Sequence, residues 1–252
     1  RVLTIEPGSP SINGSDIYVA SFEKGLGYGL YKQSVFRSRG DDSGQDILFS
    51  QLGSKDVIIT GYFQEQLNLV DASTSTPLSI PGFGPNNFDA FVARIDWKIE
   101  AYWASVGISD GVDLGATLAN QNGSLFAVGQ YDLGSNSGFL APLPSTANPF
   151  DLDIYIAEFD PTNLASPFNT IYHQQGAGGL DLITDIQSDG STLFTTGMFN
   201  APTLQFPGVS PLNRNSSTFD AFFARLDISG NFFRKDVAAL ATDQGGEASE
   251  SV

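Results

Sequence analysis

An all-β fold assembled from repeated four-stranded antiparallel sheets is what the sequence predicts, and three internal signatures carry that expectation. Residues 16–22, 89–95, 153–159 and 220–226 share one column order: Asp, Ile/Ala, Tyr/Phe, an apolar residue, Ala, a polar residue, an apolar residue. Thr60-Gly61-Tyr62-Phe63 returns as Val128-Gly129-Gln130-Tyr131 and as Thr196-Gly197-Met198-Phe199. An acid follows a Gly-rich turn at Asp46, Asp113, Asp181 and Glu247. All three signatures recur with a period of about 67 residues, long enough for one supersecondary unit per repeat.

Each period reads as four strands. In the second full unit the first strand covers 113–119 and is rich in small residues, as a crowded inner strand requires. The second covers 124–131, the third 153–159 after a long connection, and the fourth 168–172. Turn dipeptides part the first two strands: Gly53-Ser54, Asn122-Gly123 and Asp189-Gly190. No stretch carries a sustained helical period with caps, so essentially no helix is expected. Such a sheet cannot bury both of its faces alone, so the units must stack face to face. Short strands, tight hairpins and this period together predict a β-propeller of four-stranded blades, in preference to a sandwich or a solenoid.

The expected organisation is one domain over residues 1–252. A partial blade at 1–36 is followed by full blades at about 46–107, 113–173 and 181–238, and a closing strand at 245–252. A first-type strand at the C-terminal end and third- and fourth-type strands at the N-terminal end would complete a fourth blade. Asp-Ile-Tyr alternates with Phe-Asp-Ala-Phe along the units, as an even blade number would give. Closure of about four blades and membership of a larger ring both remain open. The chain starts at Arg1, which suggests processing or a piece of something longer.

Gly40-Asp41-Asp42-Ser43-Gly44-Gln45-Asp46, then Thr60-Gly61-Tyr62-Phe63, then Asp89-Ala90-Phe91-Val92-Ala93-Arg94-Ile95-Asp96 resembles the SBBP-type bacterial β-propeller repeat. The resemblance runs from about Asp16 to Glu247. It implies propellers used as binding or spacer modules in extracellular or surface proteins. It supplies no catalytic motif. The connection between the second and third strands is longer here than that family implies.

Composition narrows the function classes. With 12 Lys plus Arg against 28 Asp plus Glu, the net charge of −16 argues against nucleic acid and against an anionic membrane surface. No apolar run approaches the roughly 20 residues of a membrane span. The absence of Cys excludes disulfides, thiolate metal sites and a Cys nucleophile. Only 16% of residues are charged and 41% are hydrophobic, so the acidity belongs to a packed protein and not to a disordered tail. A surface of Asp, Ser, Thr and Asn with little Lys points to an extracellular or cell-surface location. Sequons occur at Asn13, Asn122 and Asn215 and are read as chance in a Ser/Asn-rich chain.

Antiparallel connectivity puts the long connections (64–87, 132–150, 200–218) and the Gly/Asp turns (39–45, 107–112, 176–180, 242–246) at one end of the blades. That end is the expected binding face, for a protein or glycan partner. Asp41, Asp42, Asp46, Asp110 and Asp113, with Asp243 and Glu247, either ligate Ca²⁺ through carboxylate oxygens or cap turns and bond backbone amides between blades. Phe83, Phe139, Phe150 and Phe206 in the connections either form an aromatic platform or fold down over the blades. His173, alone and unrepeated, is read as incidental. Arg94 and Arg225 share a column with Ser21 and Glu158, which suggests outward Arg–Glu pairs between neighbouring blades. No cofactor is expected apart from the calcium alternative. The overall reading is a non-enzymatic module, and a lectin or carbohydrate-active enzyme is the alternative.

Overall fold

The fold is described from a computed structural model, over residues 15–24, 28–36, 38, 40–49, 56–70, 77–96, 99, 101–109, 111–132, 137–140, 143, 151–160, 162–163, 168–176, 178–206, 210–214, 218–226 and 237–240. Over these residues the chain is all-β, with strands and no helix. Asp110, Phe150, Asn13, Asn215, Asp243, Glu247 and the closing strand expected at 245–252 lie outside the described residues.

Strands β1 (Ile17–Lys24) and β2 (Tyr28–Phe36) form an antiparallel pair. The first full unit starts with β3 (Ser43–Phe49) and β4 (Val57–Phe63). A side hairpin, β5 (Gln66–Val70) and β6 (Pro77–Pro81), interrupts it before β7 (Asp89–Ile95) and β8 (Ala101–Ile108). The second unit contains β9 (Leu114–Gln121), β10 (Ser124–Tyr131), the short β11 (Ser137–Gly138), β12 (Asp153–Phe159) and β13 (Phe168–Gly176). The third contains β14 (Asp181–Ser188), β15 (Leu193–Phe199), the short β16 (Thr203–Gln205) and β17 (Leu212–Asn213), then β18 (Asp220–Leu226) and β19 (Val237–Leu240).

Each full unit is a four-stranded antiparallel meander: β3-β4-β7-β8, β9-β10-β12-β13 and β14-β15-β18-β19. The long connections add a feature that the sequence did not suggest. β11, from the second unit, pairs with the last strand β8 of the first, and β16, from the third, pairs with β13 of the second. The hairpin strand β5 likewise reaches β2. Each connection therefore covers the outer edge of the preceding sheet, an edge otherwise open to foreign strands.

Strand alternation explains how the sheets stack. Successive side chains point to opposite faces, and both faces here are apolar. Ile59, Phe63 and Phe91 pack with Ile17, Val19 and Phe36 of the preceding pair. Their neighbours Ile58 and Val92 face the other way, with Trp103, onto Leu125, Tyr131, Tyr155 and Phe159 of the second unit. Phe126, Val128 and Ile156 of that unit turn to Ile183, Leu193, Phe199 and Phe222 of the third. Each of these three cores is thus shared by two consecutive units. Burying one such aromatic or aliphatic side chain contributes about 1.5–3 kcal/mol.

The repeated glycine has a steric cause. Gly61, Gly129 and Gly197 stand directly across from the third-strand aromatics Phe91, Tyr155 and Phe222. A β-carbon at each would overlap the carbonyl oxygen of Ser43, Leu114 or Leu182 and crowd the facing ring. Beside each glycine the first strand carries an extra, bulged residue: Gln45, Ala116 or Thr184. At the other end, the Asn122-Gly123 hairpin holds φ of 52° and 94°, the left-handed pair that a two-residue turn needs.

One register expectation is corrected. Asp42, not Asp46, is the equivalent of Asp113 and Asp181. The amide N–H groups of Asp42, Asp113 and Asp181 donate to the carbonyls of Ser15 (2.8 Å), Phe88 (2.7 Å) and Leu152 (2.8 Å), each just ahead of the preceding unit's third strand. Asp46 is equivalent to Thr117 and Asp185, the residues that follow the bulge. Two glycines four residues apart, Gly40 and Gly44, make either register plausible from sequence alone.

Candidate functional site

Two polar centres stand out at the junctions between units. The first joins the leading strands. Thr117 Oγ1 on β9 lies 3.1 Å from Asp46 Oδ2 on β3 and 3.4 Å from Asp185 Oδ1 on β14. Its single proton serves the nearer carboxylate. Asp46 Oδ2 also accepts the Leu118 N–H at 2.8 Å, and Asp46 Oδ1 accepts its neighbour Ile47 N–H at 2.6 Å. Asp185 Oδ1 accepts the Ile186 N–H at 2.9 Å. Gln130 Nε2 donates to the Ile183 carbonyl at 2.8 Å, a second tie from the middle unit to the third. β9 is therefore held between β3 and β14. Replacing Asp46 with alanine leaves the Leu118 amide short of an acceptor and the buried Thr117 hydroxyl with only the longer contact to Asp185. That should cost about 1–3 kcal/mol, measured by urea unfolding.

The second centre gathers the turns and the long connections at one end, as the connectivity predicts. The residue after each second strand clasps the turn that opens its own unit. The Gln64 N–H donates to Asp42 Oδ1 (3.4 Å), and Gln64 Oε1 accepts the Asp41 N–H (2.8 Å). The Asp132 N–H donates to Asp113 Oδ1 (3.3 Å). The Leu180 N–H donates to Asn200 Oδ1 (2.6 Å). Ser38 and Ser109, each four residues before the acid, add hydrogen bonds to Asp42 and Asp113 and accept the amides of Gly40 and Gly111, both at 3.0 Å.

Acids from consecutive units meet at these turns. Phe88 and Val112 form a parallel bridge, so Asp89 and Asp113 stand side by side, both with no exposed surface. Asp89 Oδ2 accepts the Phe83 N–H at 2.7 Å, and Asp89 also bonds the Ser109 backbone. Asp16 and Asp42 form the equivalent pair at the first junction, where burial raises Asp42 and the charge on Asp16 adds to it. Burial pushes Asp42 up to about 7 and Asp89 up to about 6. It pushes Asp113 well above the carboxylate range, with the charges of Asp89 and Asp132 adding to the effect. Burial also raises Tyr131 and Tyr155. A carboxyl whose folded pKa exceeds its unfolded value stabilises the fold most below the unfolded value, and that stabilisation is lost as pH rises through the folded one. In metal-free buffer the melting temperature should therefore fall between about pH 4 and pH 7.

The calcium candidates are distributed as follows. Asp42 and Asp113 occupy the same place in successive junctions. Asp41 is exposed, and its Oδ1 accepts the Ser15 N–H at 2.9 Å. Asp46 belongs to the other centre, among the leading strands. Among the described residues, no three His, Cys, Asp or Glu side chains converge as a metal-holding group. In the sequence, Asp89 and Asp16 stand out only as repeat markers. The usable signal was an Asp kept at the first position of every buried third strand, a costly residue in such a place unless it binds something.

The connection aromatics divide. Phe139 is buried against Tyr155 and Phe168, and Phe206 against Phe222, so both fold down over the sheets. Phe83 is 54% exposed beside the buried Asp89. His173 stands on β13 opposite Tyr155.

The expected Arg–Glu pairing between neighbouring units is corrected for Arg94. It pairs with Asp56 of its own sheet, Nη2 to Oδ2 at 2.5 Å, and its guanidinium lies 4.9 Å from the centre of the Tyr102 ring. Asp56, at the foot of β4, is within the side chain's reach and is only 3% exposed. Arg94→Ala should cost about 1–3 kcal/mol by stranding Asp56, and adding Asp56→Asn should recover part of the loss.

Compared with known proteins, the chain matches no family model and no curated protein.

Proposed function

We propose that the chain is a β-propeller module of the SBBP type, extracellular or surface-attached and non-enzymatic, that binds a protein or glycan partner as a unit of a larger assembly. The observation that carries this reading is the clasping of turns and connections at one end of stacked sheets. Loops held on a rigid scaffold are where binding surfaces arise. Stacked four-stranded meanders with the middle leading strand held between its two counterparts are what blades around an axis require. The buried acids of the junctions bond backbone amides, a structural use that supports a binding role over a catalytic one. Phe83, exposed at the same end, offers a ring on which a sugar or an apolar side chain can stack.

A glycan array combined with a hydrolase and lyase screen tests the proposal. Binding without turnover, weakened by Phe83→Ala, is the expected result for a glycan partner. For a protein partner, the array stays blank and Phe83→Ala weakens the complex recovered from the native source. Turnover that disappears when one unrepeated acid such as Glu65, Glu100 or Glu158 is changed to Gln would overturn the non-enzymatic reading.

A further inference from the structure

The acids of the Asp89–Asp113 junction share a pattern that backbone capping leaves unexplained. Each uses one carboxylate oxygen for amide or hydroxyl donors and leaves the other bare. Asp89 Oδ2 takes the Phe83 amide, and Oδ1 has no hydrogen-bond partner. Asp113 Oδ1 takes the Asp132 amide, and Oδ2 has none. The first junction repeats this: Asp42 Oδ1 takes the Gln64 amide, and Oδ2 is bare. The bare oxygens are buried, in two side chains that the Phe88–Val112 bridge sets next to each other.

A neutral polar group lies close enough to feel the charge of Asp113. Tyr131, at the end of β10, has no exposed surface and a hydroxyl without a partner. It stands across from Asp153 on β12 and next to Asp132, whose amide holds Asp113. The charges of Asp153, Asp151 and Asp113 all act on it. The equivalent positions in the other units are Phe63 and Phe199, which carry no polar atom. A buried tyrosine hydroxyl normally finds a partner. Here it is placed near Asp113, whose Oδ2 also lacks a hydrogen-bond partner.

We propose that the junction of the first and second units binds a calcium ion through Asp89 Oδ1 and Asp113 Oδ2, with the Tyr131 hydroxyl as a neutral oxygen beside it. The donor set is all oxygen, which selects a hard cation. Calcium accepts irregular oxygen sets completed by backbone carbonyls and water, whereas magnesium demands near-octahedral geometry. Bound there, the ion would neutralise two facing carboxylates and tie two consecutive units. The Asp16–Asp42 junction would be a second site of the same kind, lacking the tyrosine. This assignment goes beyond the partner reading and does not depend on it.

The test uses the whole chain, stripped with chelator and titrated with CaCl₂ or MgCl₂, with melting temperature and tyrosine-sensitised terbium emission as readouts. Calcium should raise the melting temperature in the sub-millimolar to millimolar range, and magnesium should do much less. Asp89→Asn with Asp113→Asn should abolish most of the shift. Tyr131→Phe should weaken calcium binding about tenfold, and Asp189→Asn, in an exposed hairpin of the third unit, should leave the response intact. If the double Asn variant does not fold, loss of affinity in Tyr131→Phe alone still supports the site. Absence of any calcium-dependent shift or terbium emission would overturn the proposal. So would an undiminished shift in the double variant, or a pH-dependent melting temperature that is identical with and without calcium, the mark of oxygens that share a proton.

Discussion

Replacing Gly129 with alanine should abolish the native state or destabilise it by more than about 3 kcal/mol, the upper end of what overpacking costs. A β-carbon there meets two obstacles. One is the Tyr155 ring, a side chain that can shift. The other is the Leu114 carbonyl oxygen, part of the sheet itself. The second decides the outcome, so shrinking the ring with Tyr155→Leu should not rescue Gly129→Ala. Gly84→Ala is the control. Nothing stands within 4 Å of a β-carbon there, and the change should stay within about 0.5 kcal/mol. Urea unfolding of the three variants measures this directly.

The second large effect is expected for Phe159→Ala. Phe159 is almost fully buried, its ring centroid is 6.1 Å from that of Trp103 in a T-shaped contact, and Phe168 lies 5.5 Å away. Trp103 belongs to the first unit and Phe159 to the second, so truncation opens a cavity at the junction rather than inside one sheet. The expected loss is about 3–5 kcal/mol. A double-mutant cycle with Trp103→Ala should return a coupling of about 0.5–1.5 kcal/mol from the ring pair. A coupling near zero would mean that the two units do not share this core.

Much of the strand plan was legible because strand and hairpin signals are local. The Asp-led strands, the Thr-Gly-Tyr-Phe strands and the Asn122-Gly123 turn all state their conformation within a few residues. The junctions were less legible because they are long-range. Two glycines four residues apart made Asp46 look like the partner of Asp113, and only the bond from the Asp42 amide to the Ser15 carbonyl resolves the register. Nothing in residues 137–138 announces pairing with β8, since a two-residue strand has no period to read. Arg94 was matched to a glutamate by column, whereas Asp56 lies outside every repeated signature. Of the site, the acids at the turns were visible as a composition of Asp and Gly. That Asp113 is coupled to Asp89 of the preceding unit follows from stacking, which no single repeat encodes.

The order of the leading strands is the most direct test of the proposed blade arrangement, and a chain without cysteine offers a clean background for it. Thr117 and Asp185 sit on neighbouring units with side-chain oxygens 3.4 Å apart, which brings cysteines placed at both positions together across the junction. The measurement is the intact and peptide mass of Thr117→Cys/Asp185→Cys after mild oxidation. An intramolecular link between positions 117 and 185 should form at near-complete yield. Free thiols at both positions in a folded chain would contradict it, because β9 would then not lie against β14.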